Sequence, residues 1–354
     1  MPSDSTPSRK IVLATRGSPL ALAQTQRVLN TCAHYFPNHS YEIRIIKTSG
    51  DKLQTASLSH SDTPSTASQS PTTKGLFAKE LEEALLEGSA DMAVHSLKDL
   101  PTELPDGLTL SGVLRRADVC DVLIYRSSEL AASLQAQCKD WTPGARGYRG
   151  FQKNLKISDL PQGAVVATSS TRRQQQILHL RSDIQIVPIR GNVGTRIEKL
   201  RNNPQIDATI LAAAGLERLE FHLFPDGHFT APPKYSSVPL DGILGSRLGP
   251  EEMLTCVGQG AIGIEIREED ELMNQICRTI SHPSTALCVA AEREFLRALG
   301  GGCQSPVAAH ARITGHTLHM DVVSFRVQPP KSAYVSGKLN EIEQIGRRAA
   351  KLVS

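Results

Sequence analysis

The chain has 354 residues, of which 40% are apolar and 21% charged, so it can form the cores of two or three soluble domains. Lys and Arg total 39 against 36 acidic residues and aromatic residues make up only 4%, which argues against nucleic-acid binding. The 7 cysteines form no CxxC pair and the 11 histidines show no metal-ligand spacing, so no disulfide framework and no metal site are expected. With no apolar run of membrane-spanning length and no secretion signal, we predict a cytoplasmic protein without a membrane partner.

A strand, a turn and a helix open the chain. Residues 11–14 form an apolar run typical of a buried strand, and apolar residues recur at helical spacing over 20–36. Ser18 is placed to cap the helix N-terminus, and Pro19 suits its first turn. Because the free N–H groups of a helix start attract anions, we expect an anion site here, beside Arg16.

A polar cluster follows the next predicted helix and strand. Residues 53–73 are rich in Ser, Thr and Pro and are interpreted as a mobile loop, either a lid or a passive insertion. A helix is predicted over 76–87 and a strand over 91–95, and the strand leads into Lys98 and Asp99. Ligands bind at the carboxyl ends of strands in open α/β sheets, so this cluster is a candidate ligand site.

The same order of elements returns in the second half. Residues 126–163 are dominated by Pro, Gly and polar residues and are predicted to be linker and loop. Beyond them, strands and helices alternate over 165–218, and the segment 254–266 is predicted to cross back between the halves. The simplest architecture is two βα lobes that face each other across a cleft.

The C-terminal part is predicted to be a small third domain. A helix over 284–299, two strands over 307–324 and a helix over 340–353 surround the sequence Gly300-Gly301-Gly302-Cys303. Three glycines put no Cβ around the thiol and allow positive φ angles. The Cys303 thiol is therefore either a covalent attachment point or a by-product of the helix stop.

Arginines mark the predicted cleft. Six of them fall at strand ends or helix starts of both lobes: Arg16, Arg172, Arg173, Arg190, Arg196 and Arg218. Guanidinium groups bind carboxylates through two parallel hydrogen bonds, so the set predicts a ligand with several carboxylates. Asp99 stays ionised among these cations and is expected either to stabilise positive charge on the ligand or to pair with an arginine.

Eight motifs occur in a fixed order along the chain. They are ATRGS at 14–18, KGLF at 74–77, VHSLKDLP at 94–101, TSSTRR at 168–173, IRGNVGTR at 189–196, AAGLER at 213–218, GQGA at 258–261 and GGGCQSPV at 300–307. With them the sequence resembles the porphobilinogen deaminase family from residue 11 to about 312. The resemblance implies an α/β fold with two periplasmic-binding-protein-like lobes around a cleft and a small α/β C-terminal domain that carries the cofactor cysteine. Lobe 1 is expected over 9–116 and 257–280, lobe 2 over 117–256 and the third domain over 281–354.

The resemblance also implies an activity, that of a hydroxymethylbilane synthase. Enzymes of this family are transferases of tetrapyrrole and heme biosynthesis. They condense four porphobilinogen molecules head to tail on a covalent dipyrromethane primer, release ammonia at each addition, and then release linear hydroxymethylbilane by hydrolysis. A thioether to the loop cysteine, here Cys303, holds the primer. The acetate and propionate groups of porphobilinogen account for the arginines, and loss of ammonia leaves the cation that Asp99 is expected to stabilise.

Site residues follow from the motif match. Asp99 is the expected catalytic residue. The expected cofactor-binding residues are Cys303, Lys98, Ser18, Arg172, Arg173, Arg190, Ser169, Ser170 and Gln259. The expected residues for porphobilinogen and the polypyrrole intermediates are Arg16, Arg196, Arg218 and Lys74. A monomer is expected.

Two alternatives and two departures from the family pattern stay open. A non-catalytic binder of a polycarboxylate would also explain the arginines, and an acyl-transfer enzyme could use Cys303 as nucleophile with His310 as base. The 53–73 loop is longer than the family pattern predicts. The 126–163 insertion, with the only tryptophan at Trp141, matches no known pattern.

Overall fold

The structure is a computed structural model that describes residues 8–49, 78–138, 146–302 and 304–354. The predicted loop at 53–73, Lys74, Trp141 and Cys303 lie outside these residues. Within the described ranges, none of the helices has the length and apolar character that a membrane crossing needs.

Lobe 1 is built from alternating strands and helices. In chain order these are β1 Lys10–Arg16, α1 Pro19–Tyr35, β2 Ser40–Ile46, α2 Lys79–Leu86, β3 Met92–Ser96 and β4 Leu108–Val113. The predicted cap of α1 is confirmed, because the Ser18 hydroxyl accepts a hydrogen bond from the Ala21 N–H at 3.2 Å and Pro19 is the first helical residue. The strand β4 was not predicted.

Lobe 2 follows lobe 1 along the chain. Its elements are β5 Asp121–Arg126, α3 Ser128–Gln137, β6 Val165–Ala167, α4 Thr171–Leu180, β7 Gln185–Val187, α5 Val193–Asn202, β8 Ala208–Ala212, α6 Ala213–Arg218, β9 His222–Leu223, β10 Phe229–Thr230 and β11 Ile243–Leu248. The strands β6, β7 and β8 and the helices α4 and α5 lie in the segment 165–218 where strands and helices were predicted to alternate, whereas the helix α6 was not predicted.

The prediction of linker and loop over 126–163 was wrong for a large part of that segment. Ser127 caps α3 by accepting a hydrogen bond from the Leu130 N–H at 3.1 Å, and Leu130 is buried. Further along, Ile157 and Leu160 are buried in the core of lobe 2. A few well-placed apolar side chains are therefore sufficient to fix a segment that is polar on average.

The chain returns to lobe 1 through β12 Ile262–Arg267 and α7 Glu271–Ile280. The strand order is β2-β1-β3-β12-β4 in lobe 1 and β7-β6-β8-β5-β11 in lobe 2. In both sheets the fourth strand is antiparallel to its neighbours. The two lobes thus share one topology, as the repeated motif order predicted, and the segments 114–120 and 249–261 connect them.

The third domain contains α8 Pro283–Ala298, β13 Val307–Thr314, β14 Thr317–Ser324, β15 Lys331–Lys338 and α9 Ile342–Val353. The strands β13 and β14 confirm the predicted pair, whereas β15 was not predicted. Helix α8 ends with Gly300 at φ +60° and with a hydrogen bond from the Gly301 N–H to the Leu296 carbonyl at 3.0 Å. The predicted α/β fold class, with two lobes and a small α/β C-terminal domain, is confirmed.

Candidate functional site

Asp99 ends a short 3-10 turn, Leu97–Asp99, that follows β3 directly. Leu97 is buried and fixes the turn, whereas the Asp99 side chain is exposed. Among the described residues, the Asp99 carboxylate has no hydrogen-bond or ion-pair partner. The acid is therefore presented at the carboxyl end of a central strand without being neutralised.

Glycine lets the second connecting segment lie against this turn. Gly258 has φ +70°, and a Cβ on it would lie 3.3 Å from the Lys98 backbone nitrogen. From the third domain, the Arg293 guanidinium donates hydrogen bonds to the Leu100 carbonyl at 3.1 Å and the Pro101 carbonyl at 2.7 Å. The position of the Asp99 turn is thus set by the connecting segment and by the third domain.

Charged side chains of both lobes around Asp99 shift the pKa of Lys98 and of Arg196. Burial lowers the pKa of Lys98 and Arg173 lowers it further, whereas the Asp99 charge opposes the shift. Burial also lowers the pKa of Arg196, again with Arg173 adding to the shift and Asp99 opposing it. The structure therefore brings Lys98 and Asp99 of lobe 1 together with Arg173 and Arg196 of lobe 2.

The most deeply buried acid of this region is Asp121, the first residue of β5, with no exposed surface. Its two oxygens each accept a hydrogen bond at 2.7 Å, from Arg172 and from Arg173. Burial alone would raise the pKa of Asp121, but the two guanidinium groups reverse this and hold the pKa well below its usual range. Sequence analysis missed Asp121; an acid at the start of the apolar run 122–125 was the only signal.

The partners of Asp121 are less open to ligand than the sequence suggested. Arg172 and Arg173 are only 3% and 6% exposed, and they also donate to the carbonyls of Leu254 and Ile210, at 2.7 and 2.9 Å. The Nε–H groups of both arginines are buried and have no acceptor within the described ranges. One donor of each guanidinium thus lacks the partner that a buried N–H normally has.

The remaining expected residues of lobe 2 lie around the starts of α4 and α5. The Ser169 hydroxyl donates to the Ile189 carbonyl at 2.9 Å and accepts from its N–H at 3.1 Å. Ser170 caps α4. Arg190 is exposed, and Arg196 donates from Nε to the Gly191 carbonyl at 2.8 Å. The corresponding residues of lobe 1, Arg16 and Ser18, end β1 and precede α1.

Gln259 is 1% exposed and belongs to the buried network between the lobes. Its side-chain N–H groups donate to the Val119 carbonyl at 2.7 Å and to Asp121 at 3.0 Å. Next to it, Gly260 has φ +81°, and a Cβ there would come within 2.7 Å of the Ala117 carbonyl. The GQGA motif therefore holds the two connecting segments together at close range.

A small cavity of about 30 Å³ adjoins the residues on either side of position 303. Its lining includes Lys98, Ser170, Arg172, Cys256, Gly302 and Ser305. The Thr171 hydroxyl, at the start of α4, donates to the Gln304 carbonyl at 2.7 Å. The chain before and after position 303 thus lies against Lys98 and α4, whereas Cys303 itself and Lys74 lie outside the described residues.

Glu292 of α8 is a second residue that sequence analysis missed. It has no exposed surface and binds Arg116 of the first connecting segment through two hydrogen bonds, at 2.7 and 3.0 Å. Its carboxylate also accepts from the N–H groups of Gly258 and Ala311, both at 2.8 Å. One carboxylate therefore joins the third domain to both connecting segments.

The donor groups around Asp99 fit a ligand that carries carboxylates. Lys98 and Arg196 are cationic and partly buried, and the free Nε–H groups of Arg172 and Arg173 need acceptors. No group of three metal-ligating side chains occurs among the residues that the structure describes. These donors suit a dipyrromethane, whose acetate and propionate groups supply acceptors.

Comparison with known proteins agrees with this geometry. Residues 11–275 match the family model "Porphobilinogen deaminase, dipyromethane cofactor binding domain", and residues 286–353 match "Porphobilinogen deaminase, C-terminal domain". The chain is 37% identical over 346 residues to the porphobilinogen deaminase of Thermus thermophilus, with 96% of this chain and 93% of the relative covered. It is 38% identical over 340 residues to that of Geobacter metallireducens, with 96% and 89% covered. The chain therefore belongs to the porphobilinogen deaminase family.

Proposed function

We propose that this chain synthesises hydroxymethylbilane with Asp99 as its catalytic residue and Cys303 as the covalent anchor of the primer. As a member of its family the chain is a transferase that acts on porphobilinogen and uses a dipyrromethane cofactor. The observation that supports the residue roles most directly is the exposed Asp99 carboxylate, which has no partner among the described residues although cations of both lobes surround it.

The side chains divide the chemistry between them. The cofactor would be held by polar and basic side chains of both lobes: Lys98, Ser18, Ser169, Ser170, Gln259, Arg172, Arg173 and Arg190. When bound, the dipyrromethane supplies a pyrrole carbon as nucleophile. Arg16, Arg196, Arg218 and Lys74 would hold the carboxylates of porphobilinogen.

Asp99 acts on the charge that the substrate develops. The aminomethyl group of porphobilinogen, as its ammonium ion, leaves as neutral ammonia, and the positive charge stays on the pyrrole with its methylene carbon. The Asp99 carboxylate stabilises this cation and accepts a hydrogen bond from the pyrrole N–H.

Domain bounds, location and assembly belong to the same proposal. Lobe 1 would comprise residues 9–116 and 257–280, lobe 2 residues 117–256 and the third domain residues 281–354. The protein would act in the cytoplasm as a monomer, with no nucleic-acid or membrane partner.

Intact-protein mass tests the anchor. The native protein is expected to be heavier than its sequence by two porphobilinogen units less their ammonia. Cys303→Ser should lack this increment and be inactive. Cys256→Ser is the matched control, because Cys256 lines the cavity beside Gly302 and Ser305, and it should keep the increment. An active Cys303→Ser protein, or loss of the increment from Cys256→Ser alone, would overturn the assignment.

A further inference from the structure

A second polar space lies along α1, outside the cavity beside Lys98. This groove of about 520 Å³ is lined by Gln26, Arg27 and His34 of α1 and by Arg218, Glu220 and Lys234 of lobe 2. Its volume is typical of small-molecule sites. Both lobes contribute to its walls.

The groove carries an excess of positive charge. Arg27 and Arg218 both line it, and the pKa of Arg218 falls to about 10 because of burial and then because of the Arg27 charge. Glu220 is the one acid among the described lining residues, and it binds Lys234 at 2.7 Å. The Arg27 charge therefore repels the Arg218 guanidinium across the groove, and the Glu217 charge, a smaller contribution, opposes this effect.

The groove leads away from the start of α1 that faces the candidate site. At 1.5 Å per residue, Arg27 lies about 13 Å and His34 about 24 Å along the helix from Ser18. Arg218, expected from the family motif to bind substrate, lines this groove and is absent from the lining of the cavity that holds Lys98 and Arg172. Its Nη2 donates to the Gly260 carbonyl at 2.6 Å, which fixes the guanidinium at the groove.

We propose that this groove is a second anion site, which binds a small molecule with two or three carboxylates between the lobes. Arg27 of lobe 1 and Arg218 of lobe 2 each bind one carboxylate, since a guanidinium matches the geometry of a carboxylate. The bound anion removes the repulsion between the two arginines and links the lobes. The site goes beyond the proposed function: Arg27 has no part in that function, and Arg218, proposed there for porphobilinogen, is assigned to this groove instead.

Calorimetric titration of citrate into the holoenzyme tests the site. Titrations at low ionic strength compare the native protein with Arg27→Gln and with Arg278→Gln, which changes an exposed arginine of α7 outside the groove. Loss of Arg27 should weaken citrate binding by about tenfold or more, because a charge-assisted pair of hydrogen bonds is lost. Arg278→Gln should bind as the native protein does, and Arg27→Lys should retain part of the affinity. Turnover of porphobilinogen without citrate should stay unchanged in Arg27→Gln.

Several outcomes would overturn the proposal. Equal citrate affinity in the native protein and Arg27→Gln would do so, as would equal losses in Arg27→Gln and Arg278→Gln, which indicate screening alone. Displacement of citrate by porphobilinogen, equally in native protein and Arg27→Gln, would place the anion in the catalytic cleft instead. A second porphobilinogen-binding event that disappears in Arg27→Gln would support the site and identify the substrate as its ligand. Equal melting temperatures verify that the variants are folded.

Discussion

The two lobes share one strand order but differ in how they hold buried acids. In lobe 2, Asp121 and Asp207 have no exposed surface, and each lies between two arginines, Asp207 with Arg146 and Arg149. In lobe 1, the buried Asp91 likewise lies between two arginines, Arg9 and Arg267, but the fully buried Glu265 pairs with His95, at 2.9 Å. The same strand order can thus hold a buried acid with arginines or with a histidine.

This difference extends to a second acid of lobe 1. Burial and then the Glu265 charge raise the pKa of Glu82 to about 7, although His95 opposes the shift. Arginines keep Asp121 ionised, whereas Glu82 binds a proton near neutral pH. A third acid of lobe 1, Asp99, is exposed at the carboxyl edge of the sheet. Lobe 2 therefore provides a fixed cationic wall, and lobe 1 provides the acid that is free to act.

The largest expected effect concerns that free acid. Asp99→Asn should lower the single-turnover rate by about 10²- to 10⁴-fold, because the cation on the substrate loses its counter-charge. The melting temperature should change little, since the described structure gives the carboxylate no partner to lose. Asp106→Asn, which changes another exposed acid of lobe 1, serves as the control for surface charge and should keep its rate. A rate for Asp99→Asn within threefold of the native rate would contradict the catalytic role.

The buried acid of lobe 2 should behave in the opposite way. Asp121→Asn leaves two buried guanidinium groups without their counter-charge, so the free energy of unfolding should fall by about 3–5 kcal/mol. The folded pKa of Asp121 lies below the unfolded value, so its stabilisation is present above the unfolded pKa, near 4, and is lost as pH falls through the folded pKa. Urea unfolding of the native protein from about pH 6 downward should show this loss, and the variant should show less of it. Equal acid sensitivity in both proteins would contradict the assignment.

Glu82 should reverse the sign of the pH dependence. Its folded pKa of about 7 lies above the ordinary glutamate value of 4.5, so ionisation costs stability as pH rises between these values. Glu82→Gln removes that cost, and its free energy of unfolding should exceed the native value by on the order of 2 kcal/mol at about pH 8.5. The gain should shrink toward about pH 5. A gain that is independent of pH would show that packing, rather than charge, is responsible.

The smallest expected effect compares the two equivalent helix caps. Ser18 caps α1 in lobe 1 and Ser170 caps α4 in lobe 2, each by accepting a backbone N–H. Replacing either by Ala should lower the free energy of unfolding by about 1 kcal/mol. Urea unfolding of both variants measures the two effects. A much larger loss for Ser170→Ala would show that the cap contributes to the Asp121 network as well.

The local chemistry of the chain was readable from its sequence. Ser18 and Pro19 predicted the start of α1, the polar residues after 91–95 predicted the Asp99 turn, and three glycines predicted the end of α8. Each of these signals depends on neighbours in sequence, because caps, turns and helix stops are made within a few residues.

Contacts between distant residues were not readable in this way. Asp121 meets Arg172 and Arg173 only because β5 enters the second sheet antiparallel to β8, and β4 pairs with β12 from far along the chain. Neither pairing leaves a local pattern. The helix α3 was not predicted for a different reason. Only two of its residues, Leu130 and Ala131, are buried, so its cap and these two apolar residues are the only signs of a helix in the sequence.

The Glu292 carboxylate has a mechanical consequence. It binds Arg116 and Gly258, one on each connecting segment, and so links the third domain to both segments. The neighbouring Arg293 donates hydrogen bonds to the backbone just beyond Asp99. The third domain, whose loop contains position 303, is thus attached to both segments that connect the lobes. If lobe 2 rotated about these connecting segments, the Asp99 turn and the third domain would keep their positions relative to each other.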